Sequence, residues 1–283
     1  GKHIGIGREI IFHHFSLEFT MLDIQNQEDS REIPLEKVGV KGVKYPVSVL
    51  DKSKKVQNTT ATVNLFVNLP HNFKGTHMSR FIEVFHKYHN DISMKNFLEM
   101  LEEIRQRLDA ERAFGRICFP YYIEKNAPVT NAPGMMEYIC AYEGESSSKK
   151  DNEQKFFISI KVPVATLCPC SKAISDFGAH NQRGFVKVKV LYKDFFWIED
   201  IINIVENCAS TPLYSILKRQ DEKYVTEHAY ENPRFVEDVV RDVYLGLKAQ
   251  GFDWFSVEAE TEESIHNHNA YAYTEFGNLN NQV

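Results

Sequence analysis

One order of secondary-structure signals runs twice through this chain, and the repetition constrains the fold more than any single motif. In the first half, residues 43–50 (VKYPVSVL) read as a strand, and Pro46 points to a sheet edge or a bulge. Residues 59–69 (TTATVNLFVNL) are a stronger strand, rich in Thr, Val and Phe. The spacing of Phe81, Ile82 and Phe85 predicts a helix over 77–89. Phe97, Leu101, Ile104 and Leu108 place one apolar stripe on a second helix within 93–112. Strands follow at 115–124 and 135–144, and the polar run SSSKKDNEQK (146–155) reads as a surface connection.

The same order then returns. Residues 155–167 (KFFISIKVPVATL) and 183–193 (RGFVKVKVLYK) read as strands, and 197–209 as a helix. Residues 232–251 predict another helix, with Asn232 as cap, Pro233 in the first turn and Gly251 at the end. Strands at 255–261 and 269–276 close the chain. The alternating strands imply antiparallel sheets with one face covered by helices, an α+β class. The expectation is a tandem duplication with halves at 21–150 and 151–283. Long antiparallel sheets with open edges tend to close into rings or barrels of subunits.

Of the 283 residues, 43% are hydrophobic and 25% charged, the balance of a soluble globular chain. No apolar run is long enough to span a bilayer, so no membrane association is expected. The formal net charge of −6 argues against a dedicated nucleic-acid binder. Residues 1–20 lack a signal-peptide pattern and precede the more natural opening at Met21, so they are expected to be an extension outside the fold. Cys118, Cys140 and Cys208 sit singly in apolar stretches and read as reduced, buried thiols. An odd count of five cysteines fits a reducing cytoplasm rather than a disulfide framework.

The chemistry concentrates in Thr166–Gly184, TLCPCSKAISDFGAHNQRG. Cys168 and Cys170 flank a proline, and His180 follows twelve residues after Cys168. The CxC spacing is too tight for two ligands of an ordinary structural zinc site. One thiolate with His180 suits a catalytic metal, leaving the second thiol for the substrate. A strand end with two buried cysteines and a strained redox pair remain the other readings. His266 and His268 are two apart before a probable strand, so both rings can face one pocket. The polar stretch 217–238, read as a connection between two helices, supplies Glu222, Glu227, Glu231 and Glu237. Lys172, Arg183, Lys218 and Arg219, with Arg80 in the first half, are cations suited to phosphate oxygens, although any one of them is more simply a solvated charge. No phosphate-binding glycine loop is present.

Taken together, TLCPCSKAIS, GAHNQRG, LKRQDEKYVTEHAYENPRFVEDVVRD and ESIHNHNAYA resemble GTP cyclohydrolase of type IB, the prokaryotic enzyme. GTHMSRF (75–81) and IPLEKVGVKGVKYPV match that family's first half, and the resemblance covers roughly residues 22–275. It implies tandem tunnelling-fold modules, each a four-stranded antiparallel sheet carrying two helices, assembled as homo-oligomers, tetramers, with active sites between subunits. It implies a reaction of GTP with water that gives 7,8-dihydroneopterin triphosphate and formate, the first step toward folate and deazaguanine tRNA bases. By the same resemblance Cys168, His180 and Glu222 would hold one divalent metal, manganese, iron or zinc. Cys170 would be the catalytic cysteine, with His266 and His268 in proton transfer or as outer metal partners. Glu237 would accept from the N–H edge of guanine. Lys172, Arg183, Lys218 and Arg219 are the candidates for the triphosphate on charge and proximity. Gln220 stands where the family pattern has a proline, a turn position away from the chemistry. The competing readings are the archaeal relative with a cyclic phosphate product, a non-catalytic metal-binding protein of the same fold, and a thiol redox protein.

Overall fold

In the computed structural model of this protein, residues 30–71, 75–148 and 154–279 are described; residues 1–20 lie outside them. The first half runs β1 (Leu35–Asp51), β2 (Lys55–Leu69), α1 (Met78–Tyr88), α2 (Met94–Arg107), β3 (Arg112–Asn126) and β4 (Pro133–Ser147). The second runs β5 (Lys155–Leu167), α3 (Pro169–Ile174), β6 (Asn181–Leu191), α4 (Ile198–Cys208), β7 (Thr211–Pro212), α5 (Arg219–Glu231), α6 (Val236–Ala249), β8 (Phe255–Thr261) and β9 (Ala270–Phe276). The strands form one antiparallel sheet in the order β1-β2-β3-β4-β5-β6-β8-β9, with β7 on β5. The halves join where β4 pairs β5, from Ile139↔Lys161 to Glu145↔Lys155.

Two-residue alternation decides which face is covered. β2 buries Ala61, Val63, Leu65 and Val67, and β6 buries Val186, Val188 and Val190. These join the apolar stripes of α1, α2, α4 and α6 in one core, so the helices share a face of the sheet. Phe97 of α2 lies against the sheet only because Gly115 and Gly144 face it. A Cβ on Gly144 would stand 2.7 Å from the Phe97 ring, and one on Gly115 would stand 2.8 Å from Leu101.

Three local expectations need correction. The stretch 217–238 is not a simple connection, because 219–231 is helical. Its buried residues are Asp221 and Ala229, so no apolar stripe betrays it. Neighbours four apart hold its outer face instead: Lys223 pairs with Glu227, and the rings of Tyr224 and His228 stack at 5.5 Å. Asn232 does not cap α6; it ends α5, donating its main-chain N–H to His228 and Ala229 carbonyls. The cap of α6 is Phe235, three residues later than expected, so Pro233 precedes the helix, and the Phe235 N–H donates to Asp238 Oδ2 at 3.1 Å. Gly251 does close that helix, at φ +82°. The second helix is shorter than its apolar stripe suggests. α2 ends at Arg107, and Asp109 turns the chain into β3 at φ 50°.

Candidate active site at the end of β5

The strand β5 stops at a proline. Pro169 has no N–H to donate, and although Pro163 is tolerated inside β5, the fixed φ of proline suits the first turn of a helix, and Pro169 opens the six-residue α3. Cys168 therefore becomes the cap of that helix, its Sγ accepting from the Ser171 N–H at 3.4 Å. Cys170 falls inside the first turn and is exposed, whereas Cys168 is half-buried. The two thiols thus sit at the cap and in the first turn of one short helix and differ in exposure.

The loop after α3 returns to the same point. The Cys168 N–H donates to the His180 carbonyl at 3.0 Å, just beyond the Leu167↔Asn181 pair that ends the β5–β6 ladder. Ser171 fastens the loop from inside, donating from Oγ to the Cys168 carbonyl at 3.2 Å and accepting from the His180 N–H at 3.2 Å. The His180 ring is oriented too. Gln182 Nε2 donates to Thr166 Oγ1 at 3.0 Å, so its amide oxygen faces His180 Nδ1 at 3.0 Å. In the neutral tautomer that donates from Nδ1 to this oxygen, Nε2 keeps its lone pair and can ligate a metal. Ser264 Oγ also approaches Nδ1, at 3.2 Å, and ties the loop before β9 to the same ring.

The α5–α6 segment is fastened against this strand end. The Arg234 N–H donates to the Leu167 carbonyl at 3.0 Å. Lys172 of α3 donates to the Tyr230 carbonyl, and its ammonium lies 4.3 Å from the centre of the Tyr230 ring. Asp221 fixes the start of α5. Its buried carboxylate accepts from the main-chain N–H groups of Val129, Thr130 and Lys218 and from Thr130 Oγ1. Burial opposes the charge, but these donors outweigh it and hold the carboxyl below its ordinary range.

Glu222 lies in the first turn of α5 and Glu237 in the first turn of α6, both exposed. Arg183, Lys218 and Arg219 are exposed as well, while Lys172 is engaged with Tyr230. Arg80 is turned away, donating to the Arg107 carbonyl at the end of α2. His266 and His268 occupy the turn before β9, exposed, with rings stacked at 5.0 Å. Among the described residues no three His, Cys, Asp or Glu side chains gather closely enough to hold a metal. The structure brings Cys168 and His180 together and leaves Glu222 outside that pair. Sequence reasoning missed Gln182, Ser264 and Thr166. Gln182 is the most legible of them, because a residue two from His180 on a strand shares its side.

Comparison with known proteins fits this arrangement. Residues 21–272 match the family described as type I GTP cyclohydrolase folE2. The protein named GTP cyclohydrolase FolE2 from Syntrophus aciditrophicus (strain SB) is 56% identical over 256 residues, covering 90% of this chain and 99% of that one. Its namesake from Geotalea uraniireducens (strain Rf4) is 53% identical over 256 residues, covering 90% and 93%. Among solved structures, uricase from Arthrobacter globiformis aligns at a TM-score of 0.50 and 8% identity, over 87% of this chain and 95% of that one. That likeness is one of fold alone. With a family match across nearly the whole described chain and relatives at more than half identity, this chain belongs to the type I GTP cyclohydrolase folE2 family and is a GTP cyclohydrolase.

Proposed function

We propose that the chain converts GTP and water to 7,8-dihydroneopterin triphosphate and formate at the β5–β6 loop, with a divalent metal held first by Cys168 and His180. The observation that carries this reading is the locked imidazole. Gln182 fixes the ring so that Nε2 is free as a ligand, next to a half-buried thiol on the adjoining helix cap. A thiolate with a neutral imidazole is a donor pair suited to zinc, iron or manganese. The bound cation would supply Lewis-acid activation of water. Glu222 is the proposed third ligand.

The rest of the assignment concerns this chain's own groups. Cys170 presents an exposed thiol for the reacting carbon. His266 and His268 move protons at the ring atoms being hydrolysed. Glu237 accepts from the guanine N–H edge, and Arg183, Lys218 and Arg219 meet the triphosphate oxygens. Lys172 holds α3 against α5 instead of binding phosphate. The edges of β1 and β9, together with a fully exposed Phe177 and an 85% exposed Ile174 beside the site, support a closed homo-oligomer, a tetramer of tandem tunnelling-fold modules. All five thiols are free, which supports a reducing cytoplasmic setting. No helix among the described residues is long and apolar enough to cross a membrane.

The test is formate release from GTP by chelator-stripped protein, with and without manganese, iron or zinc. Metal-dependent formate with a fluorescent oxidised pterin supports the reading. A cyclic phosphate on the product would move it to the archaeal type of reaction. Absence of formate with every metal, from folded oligomer, would overturn it.

A further inference from the structure

The face of the sheet opposite the helices carries a second cavity, away from Cys168 and Cys170. A cavity of about 310 Å³ opens there between β3, β4, β5, β6 and β8. Arg116, Ser159, Lys161, Phe185 and Lys187 line it, with Glu258 and Glu260 on its β8 side. Lys161 is seven residues before Cys168 on β5, about 23 Å along an extended strand.

A neighbouring cavity on the same face pairs two of its cations with one acid. There Arg116 and Lys189 meet Glu143 at 3.0 and 2.6 Å, while the Lys37 ammonium lies 4.6 Å from the centre of the Phe114 ring. Lys161 has a second cation beside it instead of an acid. Its cross-strand neighbours are Ile139 on β4 and Lys187 on β6, so one is apolar and the other carries the same charge. Like charges directly opposite on adjacent strands destabilise a sheet. Lys187 has Glu258 at 3.5 Å, while among the described residues Lys161 meets the Phe185 ring, 4.0 Å from its ammonium, and no acid. Glu260 is occupied by Asn269 at 2.6 Å. Two positions before Lys161, on the same side of the strand, Ser159 is 4% exposed, and its hydroxyl has no hydrogen-bond partner among the described residues. A buried hydroxyl left unpaired is costly, and such groups in native folds call for a partner.

Lysine without an acid, a second lysine beside it and an orphaned donor all face one cavity. We propose that this cavity binds a small phosphate-class oxyanion, with Lys161 and Lys187 as its cations and the Ser159 hydroxyl as a neutral donor. The volume accommodates an inorganic pyrophosphate with a few waters, at the low end of ordinary ligand pockets. Phosphate-class anions also suit GTP at the thiol end, so the two places must be told apart.

The experiment is calorimetric titration of chelator-stripped full-length oligomer with inorganic pyrophosphate. It is repeated for Lys161→Met, Ser159→Ala and Arg183→Met, with formate release from GTP measured on each. Lys161→Met should weaken pyrophosphate binding by about tenfold or more, the loss of a charged hydrogen bond. Ser159→Ala should weaken it less, and both should leave formate release unchanged. If Arg183→Met abolishes binding and Lys161→Met does not, the anion sits at the thiol end and the proposal fails. It also fails if the folded wild type takes up no pyrophosphate. Loss of formate release in all proteins, with Lys161-dependent binding retained, would overturn the catalytic reading and leave this site standing.

Discussion

The main chain of Cys168 is hydrogen-bonded to the main chain of His180 at 3.0 Å, so a thiol and an imidazole twelve residues apart are held at one strand end. The bond extends the β5–β6 ladder, and the sheet thereby sets their separation. The loop between them can vary its outer side chains, Ile174 and Phe177 among them, without moving the pair.

The two thiols should separate by experiment. Cys168→Ser keeps a good helix cap, because serine is favoured there, and removes the soft ligand. It should lose bound metal and formate release together while the protein stays folded. Cys170→Ala should lose formate release and retain much of the metal. Metal content by elemental analysis and formate by enzymatic assay read both. Full turnover by either variant would falsify the roles given to these thiols.

Gln182 orients His180 without touching the metal itself. Gln182→Ala removes the acceptor that fixes the Nδ1–H tautomer, and should lower metal affinity by about 10–100-fold. Formate release should recover at saturating metal, because no ligand has been lost. Competition with a coloured chelator measures the affinity. An unchanged affinity would show that Ser264 alone suffices to hold the ring.

How much of this was legible in sequence depends on what each residue's neighbours look like. β2 and β6 announce themselves because a half-buried strand must alternate, and Val186, Lys187, Val188 and Lys189 do so without interruption. α5 does not, because its stability comes from Asp221 binding main-chain groups of 129–130 across the molecule and from charge pairs at its surface. The Asp221 contacts link residues about ninety positions apart, and neither they nor the Lys223–Glu227 pair leaves an apolar periodicity. The Cys168–His180 pair was readable from spacing with the family resemblance; the orientation of the ring by Gln182 and Ser264 was not, since it depends on which atoms a loop brings together. The neighbouring position of Lys161 and Lys187 follows from register alone, which a sequence does not print.

Asp221 supports a structural prediction next to the proposed ligand Glu222. Asp221→Ala leaves the N–H groups of Val129, Thr130 and Lys218 without their acceptor in a closed space. The thermal midpoint should fall, and α5 should open first. Hydrogen exchange should therefore quicken at residues 219–231 and 127–132 before it does in β2 or β6. Uniform loss of protection would mean that α5 is not the weak point.

The glycines under Phe97 make a packing test. Gly144→Ala puts a methyl 2.7 Å from the Phe97 ring and 3.2 Å from the Lys155 carbonyl oxygen, so something must shift. A loss of about 1–3 kcal/mol is expected from overpacking. Phe97→Leu in the same chain should return part of it, because the ring edge that clashes is gone. Denaturant unfolding of the two single variants and the double gives the coupling. Strict additivity would locate the strain at the Lys155 main chain instead.

The last prediction concerns acid. Glu102 on α2 is hydrogen-bonded by Arg105, by Ser146 Oγ of β4 at 2.6 Å and by Gln106 at 2.6 Å. The Arg105 bond is the largest influence; burial works against it, and Ser146 and Gln106 add to it, so the carboxyl is pulled down to about 2 from 4.5. A folded value below the unfolded one means that folding favours the ionised form. The contribution is therefore complete above about pH 4.5 and is lost as pH falls toward 2. Glu102→Gln should be less stable than wild type at pH 7, and the gap between them should narrow through that window as the wild type gives up its charge. Thermal midpoints from pH 7 down to pH 2 measure it. Parallel curves would mean that Glu102 titrates alike in both states, and that the α2–β4 contact is held by Ser146 and packing rather than by charge.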